Sequence, residues 1–139
     1  MFKEDLEQWK RFERYIETIC NKIFWLKVWE NPDIMWVDLL WDNYSIEIKY
    51  DIGSTKTGNY FIETSYKWER SWIFKYNADF FCIWTQHKFW IYDRQELVSL
   101  IGIHGRPIIW WDNNDSKWVL IKIEDIFDLA IYKYDNTKL

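Results

Sequence analysis

A strand-like alternation in residues 44–50, YSIEIKY, is the feature that most constrains how this chain can fold. Successive side chains of a β-strand leave opposite faces, so Ile46 and Ile48 share one face while Glu47 and Lys49 share the other. The apolar face predicts burial against a core. The other face aims a carboxylate and an ammonium at one spot, which predicts a polar site there.

The segment before this strand predicts a hairpin. A two-residue turn at Asp42-Asn43 suits it, because these residue types tolerate the left-handed conformation of tight hairpins. In that register Leu39 faces Ile46 and Asp38 faces Glu47. Facing side chains have Cβ atoms about 4.5 to 5.5 Å apart, and like charges placed there repel. A hard divalent cation such as Mg²⁺, bound by both carboxylates, would explain why they lie next to each other.

Residues 2–26 carry apolar side chains at every third or fourth position, a pattern that predicts an amphipathic helix. Glu13 interrupts the stripe, four positions after Trp9 and three before Ile16, and should therefore point inward. An ionised carboxylate is costly there unless it is paired or bound to a metal. A structural ion pair and a functional role both stay open for Glu13.

The rest of the chain predicts short strands mixed with short helices, and therefore a single mixed α+β (α/β) domain over 1–139. Strands are predicted over 35–41, 59–66, 80–86, 89–92, 108–111 and 117–123, helices over 94–101 and 124–131, a polar loop over 51–58, a break over 102–107 and a frayed end over 135–139.

Composition limits the function classes. The net charge is −4, the wrong sign for a protein that holds nucleic acid by its overall field, so binding would need a local patch. Residues 49–75 offer one, with five basic against three acidic residues, including Lys56, Lys67 and Arg70. Twelve tryptophans could stack bases, although Trp is more often a core or interface residue.

The cysteines and the hydropathy pattern predict where the protein works. Cys20 and Cys82 lie far apart in a chain that carries no signal-peptide pattern, which favours a reducing cytoplasm (that of the host, for a viral protein) and core roles for both thiols. Charged residues interrupt the most apolar stretch before it reaches the roughly 20 residues of a membrane span. We therefore expect no membrane association.

The chemistry predicted for the hairpin is phosphodiester hydrolysis. A metal held by Asp38 and Glu47 would activate water, while Lys49 would orient the nucleophile or stabilise the transition state. Glu13 could join through a metal-bound water. The alternative interpretation is a surface hairpin whose Glu-Lys pair has no catalytic role.

Asp38 with Glu47-Ile48-Lys49 resembles the motif of the PD-(D/E)XK nuclease superfamily, which includes restriction endonucleases, lambda-type exonucleases and archaeal Holliday-junction resolvases. Glu13 stands where that family has an acid in its N-terminal helix. Residues 47–63 also resemble small phage-type nucleases with a Thr-Gly-Asn turn. The fold implied by this resemblance is a restriction-endonuclease-like central mixed sheet flanked by helices.

The resemblance also implies roles for individual residues. Asp38 and Glu47 would bind Mg²⁺ or Mn²⁺, the Ile48 carbonyl would add a ligand, and Lys49 and Glu13 would be catalytic. The residues expected to contact DNA, by resemblance or through the basic patch, are Lys56, Thr57, Asn59, Glu63, Lys67 and Arg70.

The function predicted in this way is that of a Mg²⁺-dependent endodeoxyribonuclease acting on branched or Holliday-junction DNA, of phage or mobile-element type. Cutting a junction needs two sites, so a homodimer is expected. Two alternatives stay open: a restriction, homing or resection nuclease of the same fold, and a catalytically silent nuclease-fold module that binds a protein.

Overall fold

The structure is a computed structural model that describes residues 3–30, 39–41, 44–51, 54–66, 69–70, 78–85, 88–108 and 116–135. These residues form one mixed α+β unit, as predicted. The helices are α1 (Lys3–Lys22), α2 (Ser54–Thr57), α3 (Arg94–His104) and α4 (Ile123–Ile126), and a 3₁₀ turn follows over Phe127–Leu129. The strands are β1 (Val28–Glu30), β2 (Leu39–Trp41), β3 (Tyr44–Tyr50), β4 (Asn59–Tyr66), β5 (Glu69–Arg70), β6 (Phe80–Thr85), β7 (Lys88–Asp93), β8 (Arg106–Ile108), β9 (Ser116–Lys122) and β10 (Tyr132–Asp135).

The larger sheet is mixed and has the strand order β1-β2-β3-β6-β7-β10. Strands β3 and β6 pair in parallel, and the other neighbours pair antiparallel. In the β2–β3 hairpin Leu39 faces Ile46 and Trp41 faces Tyr44, which confirms the predicted register. The period-2 pattern fixes this register, because a shift by one residue would turn the isoleucines away from the core.

A second, antiparallel sheet has the strand order β5-β4-β9-β8. It arises because two connections of the larger sheet pair with each other. The crossover between β3 and β6 contains β4, and the connection between β7 and β10 contains β9. The sequence pattern indicated β4 and β9 as strands but not their pairing, which joins residues about sixty positions apart.

One face of the larger sheet is covered by α1. On this helix-covered face, Ile46 and Ile48 of β3 pack with Ile16 and Cys20 of α1 in one buried cluster. The apolar stripe of α1 therefore meets the apolar face of β3, as their periods predict. Both cysteines are buried free thiols, as expected, and burial raises the pKa of Cys20 to about 12, with a smaller contribution from Glu17.

The opposite face of the larger sheet is covered by the second sheet together with α3 and α4. On this sheet-covered face, Phe81 and Ile83 of β6 pack with Tyr60 and Ile62 of β4 and with Leu97 of α3. Glu47 and Lys49 pair with Phe81 and Ile83 in the parallel register. Partners in register share a face, so the two charged side chains project toward the second sheet.

Helix α1 ends at Lys22, four residues before the predicted end. Asn21 explains the stop, because its side-chain amide donates to the Val28 carbonyl at 2.9 Å and accepts from the Val28 amide at 2.7 Å. Trp25 adopts φ 59°, a left-handed conformation that ordinary residues rarely take. The chain thus turns back into β1, a strand that the sequence pattern did not predict.

The C-terminal part also departs from prediction. The helix predicted over 124–131 is limited to α4 and the 3₁₀ turn, and the chain then forms β10, which pairs antiparallel with β7. Strand β8 begins at Arg106, inside the predicted break. Cross-strand pairing explains both differences, since it stabilises segments with little local preference. Residues 35–38, 109–111 and 136–139 of the predicted elements lie outside the described residues.

Within the described ranges, none of the helices combines the length and the apolar character that crossing a membrane requires.

Candidate functional site

The candidate site is built on β3, where Glu47 and Lys49 leave the strand toward the second sheet. Strand β3 lies inside the larger sheet, between β2 and β6. Its neighbours restrict its movement, so the two side chains start from a fixed backbone. Both side chains are half-buried.

Lys49 crosses from the larger sheet to the second one. Its Nζ donates a hydrogen bond to the Phe61 carbonyl oxygen and lies 5.6 Å from the centre of the Trp118 ring, within the range of a cation–π interaction. Burial lowers the pKa of Lys49, and the carboxylates of Asp51 and Glu63 oppose that shift. The ammonium is thus held in a partly dry position between two acids and an aromatic ring.

Asp51 is a member of this cluster that sequence reasoning missed. Its side chain is buried, 8% exposed, and accepts a hydrogen bond from the Phe61 amide at 3.0 Å. Its own amide donates to the Trp84 carbonyl at 2.7 Å, which continues the pairing of β3 with β6. The sequence contained one signal for it. Asp51 follows Glu47 and Lys49 at the same two-residue spacing, which predicts that it shares their face, although its position just after the strand suggested a loop.

Lys49 and Asp51 together occupy both backbone polar groups of Phe61. Phe61 lies opposite Leu120 of β9, but its N–H and C=O point to the other edge of β4, where among the described residues β5 pairs only with Ser65 and Tyr66 farther along. A buried strand edge needs partners for its N–H and C=O groups. The two side chains from β3 supply them and thereby join the sheets.

Glu13 points inward as predicted and is only 3% exposed. Its carboxylate forms an ion pair with Lys10, three positions earlier on α1, at 3.3 Å. The ion pair is the structural alternative that the sequence left open. Helix α1 covers the face of Ile46 and Ile48, whereas Glu47 leaves the opposite face. This placement does not support a joint role of Glu13 and Glu47, which stays a prediction.

Asp38 lies outside the described residues, as does Lys67. Strand β2 is described from Leu39, one residue after Asp38, so the predicted pairing of Asp38 with Glu47 stays a prediction. Arg70 lies in β5, with its backbone opposite Ser65. Within the described ranges, no group of three or more His, Cys, Asp and Glu side chains is arranged to hold a metal ion.

The Thr-Gly-Asn turn between α2 and β4 has a clear structural basis. Gly58 adopts φ 71°, a conformation that favours glycine. Thr57 Oγ1 accepts from the Asn59 amide at 3.2 Å, and Asn59 Nδ2 donates to the Thr57 carbonyl at 3.2 Å. Lys56 and Thr57 are exposed at the end of α2, whereas Asn59 is half-buried. The turn thus presents one predicted DNA-contact lysine to solvent.

Arg106 was not singled out by sequence reasoning, but the fold brings it to the same turn. Arg106 lies on β8, and its side chain reaches across β9 to Asn59 at the start of β4, where Nη2 lies 3.5 Å from Oδ1. The Gly58 carbonyl accepts from the Ile123 amide at 2.9 Å, which fixes the turn to the start of α4. No signal in the sequence could have placed Arg106 here, because its position depends on the pairing of β8 with β9.

A scan against protein-family models, a search of curated proteins and a search of solved structures each found no match. The functional proposal therefore depends on the residues of this chain and their geometry.

Proposed function

We propose that the protein is a metal-dependent DNA endonuclease of restriction-endonuclease-like fold that hydrolyses phosphodiester bonds in branched or junction DNA. The observation that carries this proposal is the placement of Glu47 and Lys49 on one face of an interior strand, with the Lys49 ammonium held in a partly buried position. An acid and a cation two residues apart on such a strand match the motif on which the family resemblance depends.

The donor set fits a hard divalent cation of the Mg²⁺ or Mn²⁺ type. Glu47 would supply one carboxylate oxygen, and Asp38 and the Ile48 carbonyl would supply others. Mg²⁺ is commonly held by one or two carboxylates together with water and substrate phosphate, so a large protein cage is not needed. When bound, such an ion lowers the pKa of a coordinated water and neutralises charge on a phosphate.

Lys49 would act on the scissile phosphate through its charge. The hydrogen bond to Phe61 fixes the position of Nζ, and partial burial strengthens its field relative to water. A preorganised cation stabilises the charge that develops on the phosphate oxygens without rearranging during the reaction. Burial lowers the pKa of Lys49, and the charges of Asp51 and Glu63 oppose that shift in favour of the protonated form that this role requires.

Cleavage of three substrates tests the proposal: a four-way junction, a linear duplex and a single strand, each with Mg²⁺, with Mn²⁺ and with EDTA. We expect metal-dependent nicks that favour the junction. Glu47→Gln keeps the shape of the side chain, removes its charge, and should lower the cleavage rate by at least about 100-fold. Calorimetric titration with Mn²⁺ should show weaker binding to the same variant.

Glu124→Gln is the matched control, because Glu124 is exposed on α4. It should cleave like the wild type. Full cleavage by Glu47→Gln, or equal cleavage in EDTA, would contradict the nuclease proposal. Uniform cutting of all three substrates would favour a restriction, homing or resection nuclease over a junction-selective enzyme.

A second candidate has a specific observation in its favour. Lys49 and Asp51 both bond the backbone of Phe61, which accounts for one half-buried and one buried charged side chain without any catalysis. That arrangement would also suit a catalytically silent nuclease-fold module that binds a protein. Absence of cleavage on all three substrates, in a sample shown to be folded by circular dichroism, would favour it.

A homodimer is part of the nuclease proposal, because a junction is resolved by two cuts. Exposed aromatic side chains such as Trp25, which is 87% exposed, suit an interface. Sedimentation equilibrium with and without junction DNA measures the assembly directly. A monomer in both conditions would remove this part of the proposal.

A further inference from the structure

The second sheet has an inner and an outer face of different character. Tyr60, Ile62 and Ile121 are buried in the core that it shares with the larger sheet. Alternation along β4 and β9 sends the intervening side chains to the other side, and partners in register share that side. This outer face includes the side chains of Phe61, Glu63, Arg106, Trp118, Leu120 and Lys122.

The centre of the outer face is apolar and aromatic. Phe61 on β4 lies opposite Leu120 on β9, and Trp118 lies opposite Glu63. Phe61, Trp118 and Leu120 are half-buried, so they still present surface to solvent. Phe61 and Trp118 are diagonal neighbours on adjacent strands, with a typical separation of about 7 to 8 Å, so two bases of one unpaired strand can each meet a ring.

The borders of the outer face are basic. Arg106 and Lys122 are exposed, and Arg106 contacts the neutral side chain of Asn59 at 3.5 Å. The acidic residue on this face, Glu63, lies opposite Trp118 and interacts electrostatically with the Lys49 ammonium. The outer face thus combines positive charge with aromatic rings in a protein whose net charge is −4. That local reversal of sign favours a polyanion over another copy of this acidic chain.

The outer face is also continuous with the candidate site. Lys49 Nζ lies 5.6 Å from the centre of the Trp118 ring and bonds the carbonyl of Phe61. A strand that stacks on Trp118 would therefore bind next to the ring that neighbours the Lys49 ammonium of the Glu47 site. Duplex DNA buries its bases in the stack, whereas an unpaired strand offers their faces to aromatic side chains.

We propose that the outer face of the second sheet binds an unpaired DNA strand, with Trp118 and Phe61 stacking on bases and Arg106 and Lys122 contacting phosphates. The inference rests on the proposed nuclease function and names the feature of the substrate that the enzyme selects, which is unpaired DNA next to the cleaved bond. It explains a preference for branched DNA without any recognition of base sequence.

The test is fluorescence anisotropy with a labelled 20-nucleotide oligothymidine and a duplex of the same length, in EDTA so that binding is separated from cleavage. We expect the single strand to bind more tightly than the duplex. Trp118→Leu keeps an apolar side chain but removes the ring, and should weaken single-strand binding about tenfold. Trp118→Phe restores a ring and should recover most of the affinity.

Removal of charge gives a second, independent readout. The double variant Arg106→Gln and Lys122→Gln should reduce the salt dependence of single-strand binding. The slope of log K against log salt concentration should become shallower by about 0.7 for each phosphate that is no longer neutralised. The matched control is the double variant Lys22→Gln and Lys27→Gln, two exposed lysines near β1 that should leave the slope unchanged. Circular dichroism checks that each variant folds.

The outcomes separate this inference from the nuclease proposal. Glu47→Gln should lose cleavage and keep oligothymidine binding. If Glu47→Gln cleaves normally, the nuclease proposal fails. The binding measurements still test whether the outer face binds single-stranded DNA. Equal single-strand affinity in wild type, Trp118→Leu and the Arg106/Lys122 variant would overturn the inference. So would a change of oligomeric state in these variants without a change in DNA affinity, which would identify a protein interface.

Discussion

The two faces of the larger sheet are covered by different kinds of contact. On the helix-covered face, apolar and aromatic side chains dominate: Phe12 of α1 packs on Trp84 with ring centroids 4.1 Å apart, beside Ile46 and Ile48. On the sheet-covered face, the apolar core is supplemented near the end of β3 by two hydrogen bonds with Phe61: Lys49 donates to its carbonyl, and Asp51 accepts from its amide.

This difference shows that the two faces of one strand can be held by contacts of different directionality. Apolar contacts have no preferred direction and tolerate small shifts, so they stabilise α1 without fixing it to a fraction of an ångström. Hydrogen bonds are directional, and buried ones are costly to break. The bonds to Phe61 therefore fix the position of the second sheet relative to the end of β3.

The largest expected effect tests the helix-covered face. Ile46→Ala should lower the free energy of unfolding by about 2 to 5 kcal/mol, because Ile46 is fully buried and its loss leaves a cavity. Urea denaturation followed by circular dichroism measures the change. Ile23→Ala makes the same substitution at a residue that is 53% exposed, and should cost less than about 0.5 kcal/mol. Equal losses in the two variants would contradict the described packing.

The next effect tests the contact between the sheets. Asp51→Ala should lower the free energy of unfolding by about 1 to 3 kcal/mol, because it leaves the buried Phe61 amide without its acceptor. Hydrogen exchange at the Phe61 amide should accelerate by more than exchange at amides in α1. Asp125→Ala, at an exposed residue of α4, should change stability by no more than about 0.5 kcal/mol.

A smaller effect is expected where α1 meets the edge of the larger sheet. Asn21→Ala removes two hydrogen bonds to Val28 and should cost about 1 to 2 kcal/mol. Thr18→Ala is the control, since its hydroxyl bonds the Arg14 carbonyl of its own helix at 2.8 Å in an exposed position. A loss for Thr18→Ala as large as for Asn21→Ala would show that the bonds to Val28 do not anchor the end of α1.

The same comparison shows which parts of the fold the sequence could predict. The faces of α1 and β3 follow from local periodicity, and the hairpin register follows from that period and a two-residue turn. The inward position of Glu13 was predicted for the same reason. Each of these features depends on residues close together in the chain, where side-chain spacing directly reports geometry.

Features that depend on distant pairing were not predictable in this way. The second sheet needs β4 to meet β9, and the position of Arg106 depends on β8 pairing beside them. The role of Asp51 became visible only when the Phe61 amide lay next to it. Strand β10 alternates Tyr132 and Tyr134 with charged residues, but over only four residues this pattern does not reveal its pairing with β7. Contacts between residues that are far apart in the chain produce no periodic pattern of side chains in the sequence.

The smallest expected effect concerns a tyrosine at the border of the helix-covered face. Burial raises the pKa of Tyr15 from 10.0 to about 12, with a further contribution from a hydrogen bond with Tyr134. Because the folded-state pKa is the higher one, the folded protein keeps a proton that the unfolded chain loses. The contribution of Tyr15 to stability is therefore fully present below pH 10 and is lost as the pH rises through about 12.

Urea denaturation at pH values between 9 and 12 measures this contribution. The free energy of unfolding should fall across the window in the wild type and fall less steeply in Tyr15→Phe, which has no hydroxyl to ionise. The decline will not disappear, because burial also raises the pKa values of Tyr60 and Tyr92 on the sheet-covered face. Tyr44→Phe, at an exposed residue, should follow the wild type. Parallel curves for wild type and Tyr15→Phe would show that ionisation of Tyr15 does not contribute to alkaline unfolding.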